Sequence, residues 1–233
     1  MNAFEVLAGH AAFDAPPDLL RRLRKRHGLV VEPFRADLKD ARVLDLGAHD
    51  GRWCYAFARA GAREVVGVEP RAALIEGFAR FPDDEARARV ALMEGEAMPA
   101  LEAFGEAGER FDVVAVLGLF YHLMDHFRLL WLIRQLAPRL VIVDSDFSLA
   151  KAPVIELTRE RTDKPLNAVA QIGGQARAIA GLPSFAGMEA MADALDYRVE
   201  WVDPAPLSED PEGVRDYFRA RKMRRGVCAL RPK

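Results

Sequence analysis

A chain of 233 residues, 51% of them hydrophobic, can bury one sizeable core, and its net charge of −2 argues against a general nucleic-acid coat. The longest apolar run, 113–121, is far too short to span a bilayer, and the N-terminus lacks the basic start and apolar run of a signal peptide. Cys54 and Cys228 stand far apart and give neither a disulfide framework nor a zinc pattern, so a reducing cytoplasm is expected.

Residues 1–16 carry little pattern. From Asp18 onward, Leu19, Leu20 and Leu23 recur at helical spacing among Arg21, Arg22, Arg24, Lys25 and Arg26, which predicts an amphipathic helix ending near Gly28. Residues 1–40 are thus expected as an N-terminal helical extension to a main domain over 41–233. Strands are predicted at 42–46, 64–69, 89–93, 111–117 and 139–144, alternating with helices at 51–61, 71–80, 98–107 and 124–137. Such alternation implies an α/β fold, a parallel sheet with helices on both faces and ligands beyond the carboxyl ends of the strands. Asp45, Glu69, Glu94, Leu117 and Asp144 all fall at such ends. The alternation breaks near 147–183, which contains Lys164-Pro165-Leu166-Asn167 and a Gly173-Gly174 pair, and an irregular insertion or lid is expected there. Ser184 then caps a helix to about Ala194, and strands 197–203 and 226–231 are expected to close the sheet as an antiparallel pair.

The most informative segment is 42–53. Val43, Leu44 and Leu46 form a short strand with Asp45 near its end, and a Gly47-x-x-x-Gly51 turn then opens into a helix. That arrangement lets backbone N–H groups approach an adenosine-bearing ligand, and Glu69, ending the next strand, can accept hydrogen bonds from both ribose hydroxyls. A nicotinamide-dependent oxidoreductase would carry Gly-x-Gly-x-x-Gly, but His49 and Arg52 occupy the second and third glycine positions. Asp45 would also face the like charge of a diphosphate, whereas a cationic amino-acid end suits it.

Asp45-x-Gly47-x-x-x-Gly51 followed by Glu69 resembles the cofactor-binding motifs of class I S-adenosylmethionine-dependent methyltransferases. The resemblance implies a Rossmann-like, doubly wound sheet, mostly parallel with an antiparallel last strand, and S-adenosyl-L-methionine as cofactor. Asp45 would hold its ammonium group, the Gly47–Gly51 turn its methionine part and Glu69 its ribose, with His49 and Asp50 projecting from the turn. Met93-Glu94-Gly95-Glu96-Ala97 resembles the family's Gly-Asp-Ala segment, so Glu96 or the Ala97 N–H would meet the adenine; the alternative for Glu96 is a solvated loop acid.

Phe111-Asp112 with Leu117-Gly118-Leu119-Phe120-Tyr121-His122-Leu123 is similar to a pattern in relatives of the tRNA wobble-uridine (uridine-5-oxyacetate) modifying enzymes. This places Tyr121 and His122 beside the transferred methyl group. Two roles stand open for His122: general base on an acceptor hydroxyl or amine, or a hydrogen bond to backbone beneath the cofactor. Asp144 and Asp146 are read as polar residues of the acceptor site, with loop capping as the alternative. His122 and His126 have metal-ligand spacing, but no further ligand cluster accompanies them and no metal is expected.

The expected activity is methyl transfer to an O or N nucleophile. The apolar insertion (Val154, Ile155, Leu166, Ile172, Leu182) favours a small-molecule acceptor. An RNA acceptor is the alternative, which Arg21–Arg26 and the run Arg219 to Arg225 would serve by tracking phosphates. Solvated helix faces explain the same charges.

Overall fold

The computed structural model describes residues 2–8, 10, 13, 15–82, 84–164, 167, 168, 170 and 172–233, the Asp84 side chain excepted. Pro165 and Leu166 of the insertion lie outside them. In chain order the elements are α1 (Ala3–Leu7), α2 (Pro17–Val30), α3 (Arg35–Leu38), β1 (Arg42–Leu46), α4 (Arg52–Arg59), β2 (Glu64–Glu69), α5 (Ala72–Ile75), α6 (Asp84–Ala88), β3 (Val90–Glu94), α7 (Ala97–Glu106), β4 (Val113–Leu117), α8 (His126–Gln135), β5 (Leu140–Ser148), β6 (Ile155–Arg161), β7 (Arg177–Pro183), α9 (Phe185–Asp193), β8 (Tyr197–Trp201) and β9 (Met223–Pro232).

Seven of the described strands form one sheet in the order β3-β2-β1-β4-β5-β9-β8. The first five run parallel, and β9 inserts antiparallel between β5 and β8. This is the α/β sheet expected from the alternation, with the Rossmann-like order and antiparallel strand that the resemblance implies. The two central strands read as nearly unbroken apolar runs, Val43-Leu44 in β1 and Val-Val-Ala-Val-Leu in β4, because helices cover both faces. One face packs with α2 and α4 through Leu23, Val30, Trp53 and Phe57. The other packs with α7, α8 and α9 through Leu101, Leu129, Ile133 and Met188.

β5 runs four residues past its expected end at 144, because β9 pairs with it as far as Ser148, and two further segments differ from their sequence reading. Residues 3–7, which carry little pattern, form a helix capped by the Asn2 side chain, and Phe4 meets the Trp53 ring edge-on at 4.9 Å. Five residues are too few to show a helical period, and their order comes from burial against the main core. The segment expected to be irregular contains a β-hairpin, with β6 and β7 in antiparallel register from Ile155↔Pro183 to Arg161↔Arg177. Its strands are joined by the long connection 162–176 rather than a two-residue turn, so no hairpin signature marks them. The hairpin is anchored beside the end of β4: Gly181 N–H donates to the Leu123 carbonyl at 2.7 Å. A Cβ on Gly181 would lie 2.6 Å from His126 Cε1, so a glycine is what permits this approach.

Candidate active site

The turn after β1 closes tightly on the neighbouring strand. Gly47 and Ala48 both donate their N–H to the Val68 carbonyl, at 2.9 and 3.0 Å. Gly47, His49 and Gly51 all take positive φ, at 76°, 54° and 79°. At Gly51 a Cβ would fall 2.6 Å from the Phe78 ring and 2.8 Å from Leu92 Cδ1, so space and backbone both demand glycine.

Asp45 is buried at the end of β1 and has no basic partner among the described residues. The Cys54 thiol donates to its Oδ2 at 3.3 Å, while Oδ1 has no hydrogen-bond partner. Burial, with a smaller push from the charge of Glu69, raises its carboxyl to about 7 against the pull of the Cys54 hydrogen bond. An orphaned buried carboxylate is costly to a protein alone and suits a cationic ligand.

Glu69, 2% exposed at the end of β2, holds the turn from the other side. Its Oε2 accepts the His49 N–H at 3.0 Å, and its Oε1 accepts the Arg71 N–H and a guanidinium N–H, each at 3.2 Å. A second Arg71 nitrogen donates to the Asn167 carbonyl at 2.9 Å, which ties the insertion to this acid. Asp50 turns instead to Arg52, at 2.6 and 2.5 Å; although burial opposes ionisation, hydrogen bonds from His49 and Arg52 hold its carboxyl down to about 2.

Glu96 is exposed, and its side chain does not cap the following helix, which Ala97 begins. It lies two residues past Glu94, the register partner of Glu69. Leu117 ends β4 opposite Asp144, and the Gly118 N–H donates to the Asp144 carbonyl at 2.8 Å. The strand ends therefore bring Asp45, Gly47, Gly51, Glu69 and Leu117 to one edge of the sheet, with Glu96 and Ala97 at its β3 side.

Tyr121 and His122 follow in a 3-10 turn, with rings 4.1 Å apart. His122 Nδ1 lies 2.7 Å from Oε2 of Glu160 on β6. Glu160 is the residue that the sequence does not reveal: it lies 38 positions away, in a segment without recognised pattern. His126 points elsewhere, buried edge-on against Phe120 at 4.7 Å. Among the described residues no group of three His, Cys, Asp or Glu side chains could hold a metal.

Asp144 occupies a different place from the acceptor contact expected of it. It is fully buried; Oδ2 accepts Arg26 Nε at 2.9 Å, and Oδ1 accepts Arg225 Nε at 2.8 Å and the Tyr217 hydroxyl at 2.9 Å. Burial opposes its ionisation, but the Arg225 and Arg26 charges hold it down to about 2. With both oxygens taken, it acts as an internal hub, and the Arg225 guanidinium in turn lies 5.7 Å from the Tyr121 ring. Its neighbour Asp146 keeps a buried Oδ1 without a partner, and burial raises its carboxyl.

The basic face of α2 is largely neutralised from within. Asp216 takes Arg22 in a two-point contact at 2.8 and 2.6 Å, Asp210 takes Lys25 at 2.7 Å, and Glu212 pairs with Arg21. No helix among the described residues is long and apolar enough to cross a membrane.

A family model described as a methyltransferase domain matches residues 10–161. A ubiquinone biosynthesis O-methyltransferase of Azorhizobium caulinodans is 41% identical over 88 residues, covering 38% of this chain and 32% of that protein. A tRNA U34 carboxymethyltransferase of Cellvibrio japonicus is 32% identical over 108 residues, covering 41% of this chain and 30% of that protein. The chain thus spans about a third of the length of these curated relatives. Among solved structures, the N-terminal domain of EvdMO1, crystallised in the presence of S-adenosylhomocysteine and D-fucose, superposes with a TM-score of 0.65 at 16% identity, covering 94% of this chain and 84% of that one. At that identity the likeness speaks to the fold.

Proposed function

The chain belongs to the methyltransferase domain family, and we propose that it transfers a methyl group from S-adenosylmethionine to an oxygen or nitrogen of a small-molecule acceptor. The observation that carries this reading is Asp45, a buried carboxylate with one oxygen unsatisfied, set beside a glycine turn and one strand from Glu69. Asp45 would take the ammonium group, Glu69 the ribose diol, and the Ala97 N–H and Glu96 the adenine edge.

S-adenosylmethionine supplies an electrophilic methyl on a sulfonium, so the protein's work is alignment of the nucleophile and exclusion of water. Tyr121 and His122 stand at the end of β4, where the acceptor would meet the methyl group. Asp146, with its free Oδ1, can accept a hydrogen bond from an acceptor hydroxyl. The hairpin and the segment tied by Arg71 to Glu69 would cover the site.

A small molecule is favoured over RNA because four of the five basic side chains of 21–26, those of Arg21, Arg22, Lys25 and Arg26, are spent on Glu212, Asp216, Asp210 and Asp144. Cys54 and Cys228, both buried and free, suit a reducing cytoplasm.

Calorimetric titration with S-adenosylhomocysteine tests the reading, with NADH as control. Micromolar binding that both Asp45→Ala and Glu69→Ala weaken supports it; a folded protein that ignores S-adenosylhomocysteine refutes it. Strongly salt-dependent binding of tRNA would move the acceptor class to RNA.

A further inference from the structure

We propose that Glu160 is a positioning residue that holds His122 in its Nδ1–H form, leaving Nε2 to take the acceptor's proton during transfer; this rests on the methyltransferase reading above. The contact is short and sheltered. His122 Nδ1 and Glu160 Oε2 are 2.7 Å apart, with side chains 12% and 15% exposed. The Ala168 N–H donates to the same Oε2 at 2.8 Å, a second contact that holds the carboxylate in place.

A carboxylate only accepts hydrogen bonds, so the proton in this contact sits on His122 Nδ1. In the neutral ring Nε2 then carries the lone pair. Burial pushes the Glu160 carboxyl up, but the hydrogen bonds from His122 and Ala168 outweigh it and hold the group below its usual range. Glu160 is therefore ionised at neutral pH, and its negative charge faces the ring that would become cationic.

Charge and atoms balance through this pair. The acceptor's lone pair forms the bond to the methyl carbon, the pair of the breaking carbon–sulfur bond stays on sulfur, and the acceptor proton passes to His122 Nε2. The positive charge leaves the sulfonium and appears on an imidazolium facing Glu160. The β6–β7 hairpin thus brings a positioning residue as well as a cover, because Glu160 on β6 meets His122 while Gly181 on β7 is hydrogen-bonded to Leu123 beside it.

The test uses the full chain, with 15N NMR of the His122 ring at pH 8 in wild type, Glu160→Gln and Glu160→Ala. The wild-type ring is expected to be protonated at Nδ1 and bare at Nε2, and Glu160→Ala to shift it towards the Nε2–H form. Glu160→Gln can retain the hydrogen bond while losing the charge, so it separates tautomer from electrostatics. In methyl-transfer assays with a series of phenols of graded acidity, both variants should lose about tenfold to a hundredfold in kcat, with the KM for S-adenosylmethionine unchanged. The loss should be larger for the less acidic phenols, a gradient that a purely structural role would not produce.

A wild-type ring protonated at Nε2, or a ring unchanged in Glu160→Ala, overturns the proposal. Equal loss across the phenol series overturns the proton-transfer role. Failure of the wild type to bind S-adenosylhomocysteine refutes the methyltransferase reading and the proton-transfer role with it, while the ring tautomer still reports separately on the Glu160–His122 contact.

Discussion

Arg26 on α2 and Asp144 in the middle of β5 are 118 positions apart, yet Arg26 Nε lies 2.9 Å from the Asp144 carboxylate in a buried ion cluster. Arg225 and Tyr217 complete it, so three distant parts of the chain meet on one acid. A carboxylate inside the protein, with both oxygens satisfied and two cations beside it, is retained by geometry that no single element supplies.

Asp144→Asn should therefore destabilise the fold by about 3–5 kcal/mol, because it leaves two buried guanidiniums without their counter-charge. Urea denaturation at pH 7 measures this. The folded carboxyl titrates at about 2, below its ordinary 3.8, so its contribution is present above pH 3.8 and is lost as pH falls towards 2. Asp144→Asn should accordingly lose stability relative to wild type at neutral pH and much less in strong acid.

Asp45 should behave in the opposite sense. Its folded carboxyl sits at about 7 against 3.8, so the ligand-free protein binds the extra proton in that window and loses stability as pH rises through it. Asp45→Asn should stabilise the ligand-free protein at pH 8, by on the order of 4 kcal/mol from the shift. It should also abolish calorimetric binding of S-adenosylhomocysteine. Wild-type affinity for that ligand should weaken as pH falls below about 7, where Asp45 gains its proton.

Gly51→Ala forces a side chain onto a backbone with φ of 79° and into the Phe78 and Leu92 side chains. A thermal melt should show a loss of about 2–4 kcal/mol. Binding of S-adenosylhomocysteine should fall in the fraction that remains folded, since the turn itself must move.

Arg71→Ala removes the link between Glu69 and the Asn167 carbonyl. Amide hydrogen exchange should quicken around 167 and 168 while β1 and β2 stay protected. An unchanged exchange pattern would show that Arg71 does not restrain the insertion.

Periodicity reveals the strands and helices of the sheet because each buries a continuous apolar stripe, and that stripe is written locally. The hairpin stayed hidden for the converse reason. β6 reads Ile-Glu-Leu-Thr-Arg-Glu-Arg, mostly exposed and charged, and its order comes from pairing with β7 and from Gly181 lying against Leu123 and His126. Residues 3–7 were hidden by brevity, since Phe4 and Leu7 show their purpose only against Trp53 and the core.

The chain's own residues determined the α/β class, the sheet's alternation and the positions of Asp45, Gly47, Gly51 and Glu69 at strand ends, because backbone period and turn chemistry act over a few residues. Only the tertiary structure decided that Asp144 is an internal hub, that acids of 210–216 pair with Arg21, Arg22 and Lys25 of α2, and that Glu160 faces His122. Electrostatic pairing acts through space over a few ångströms, so which charges meet depends on how distant segments pack, and no local pattern in the sequence records it.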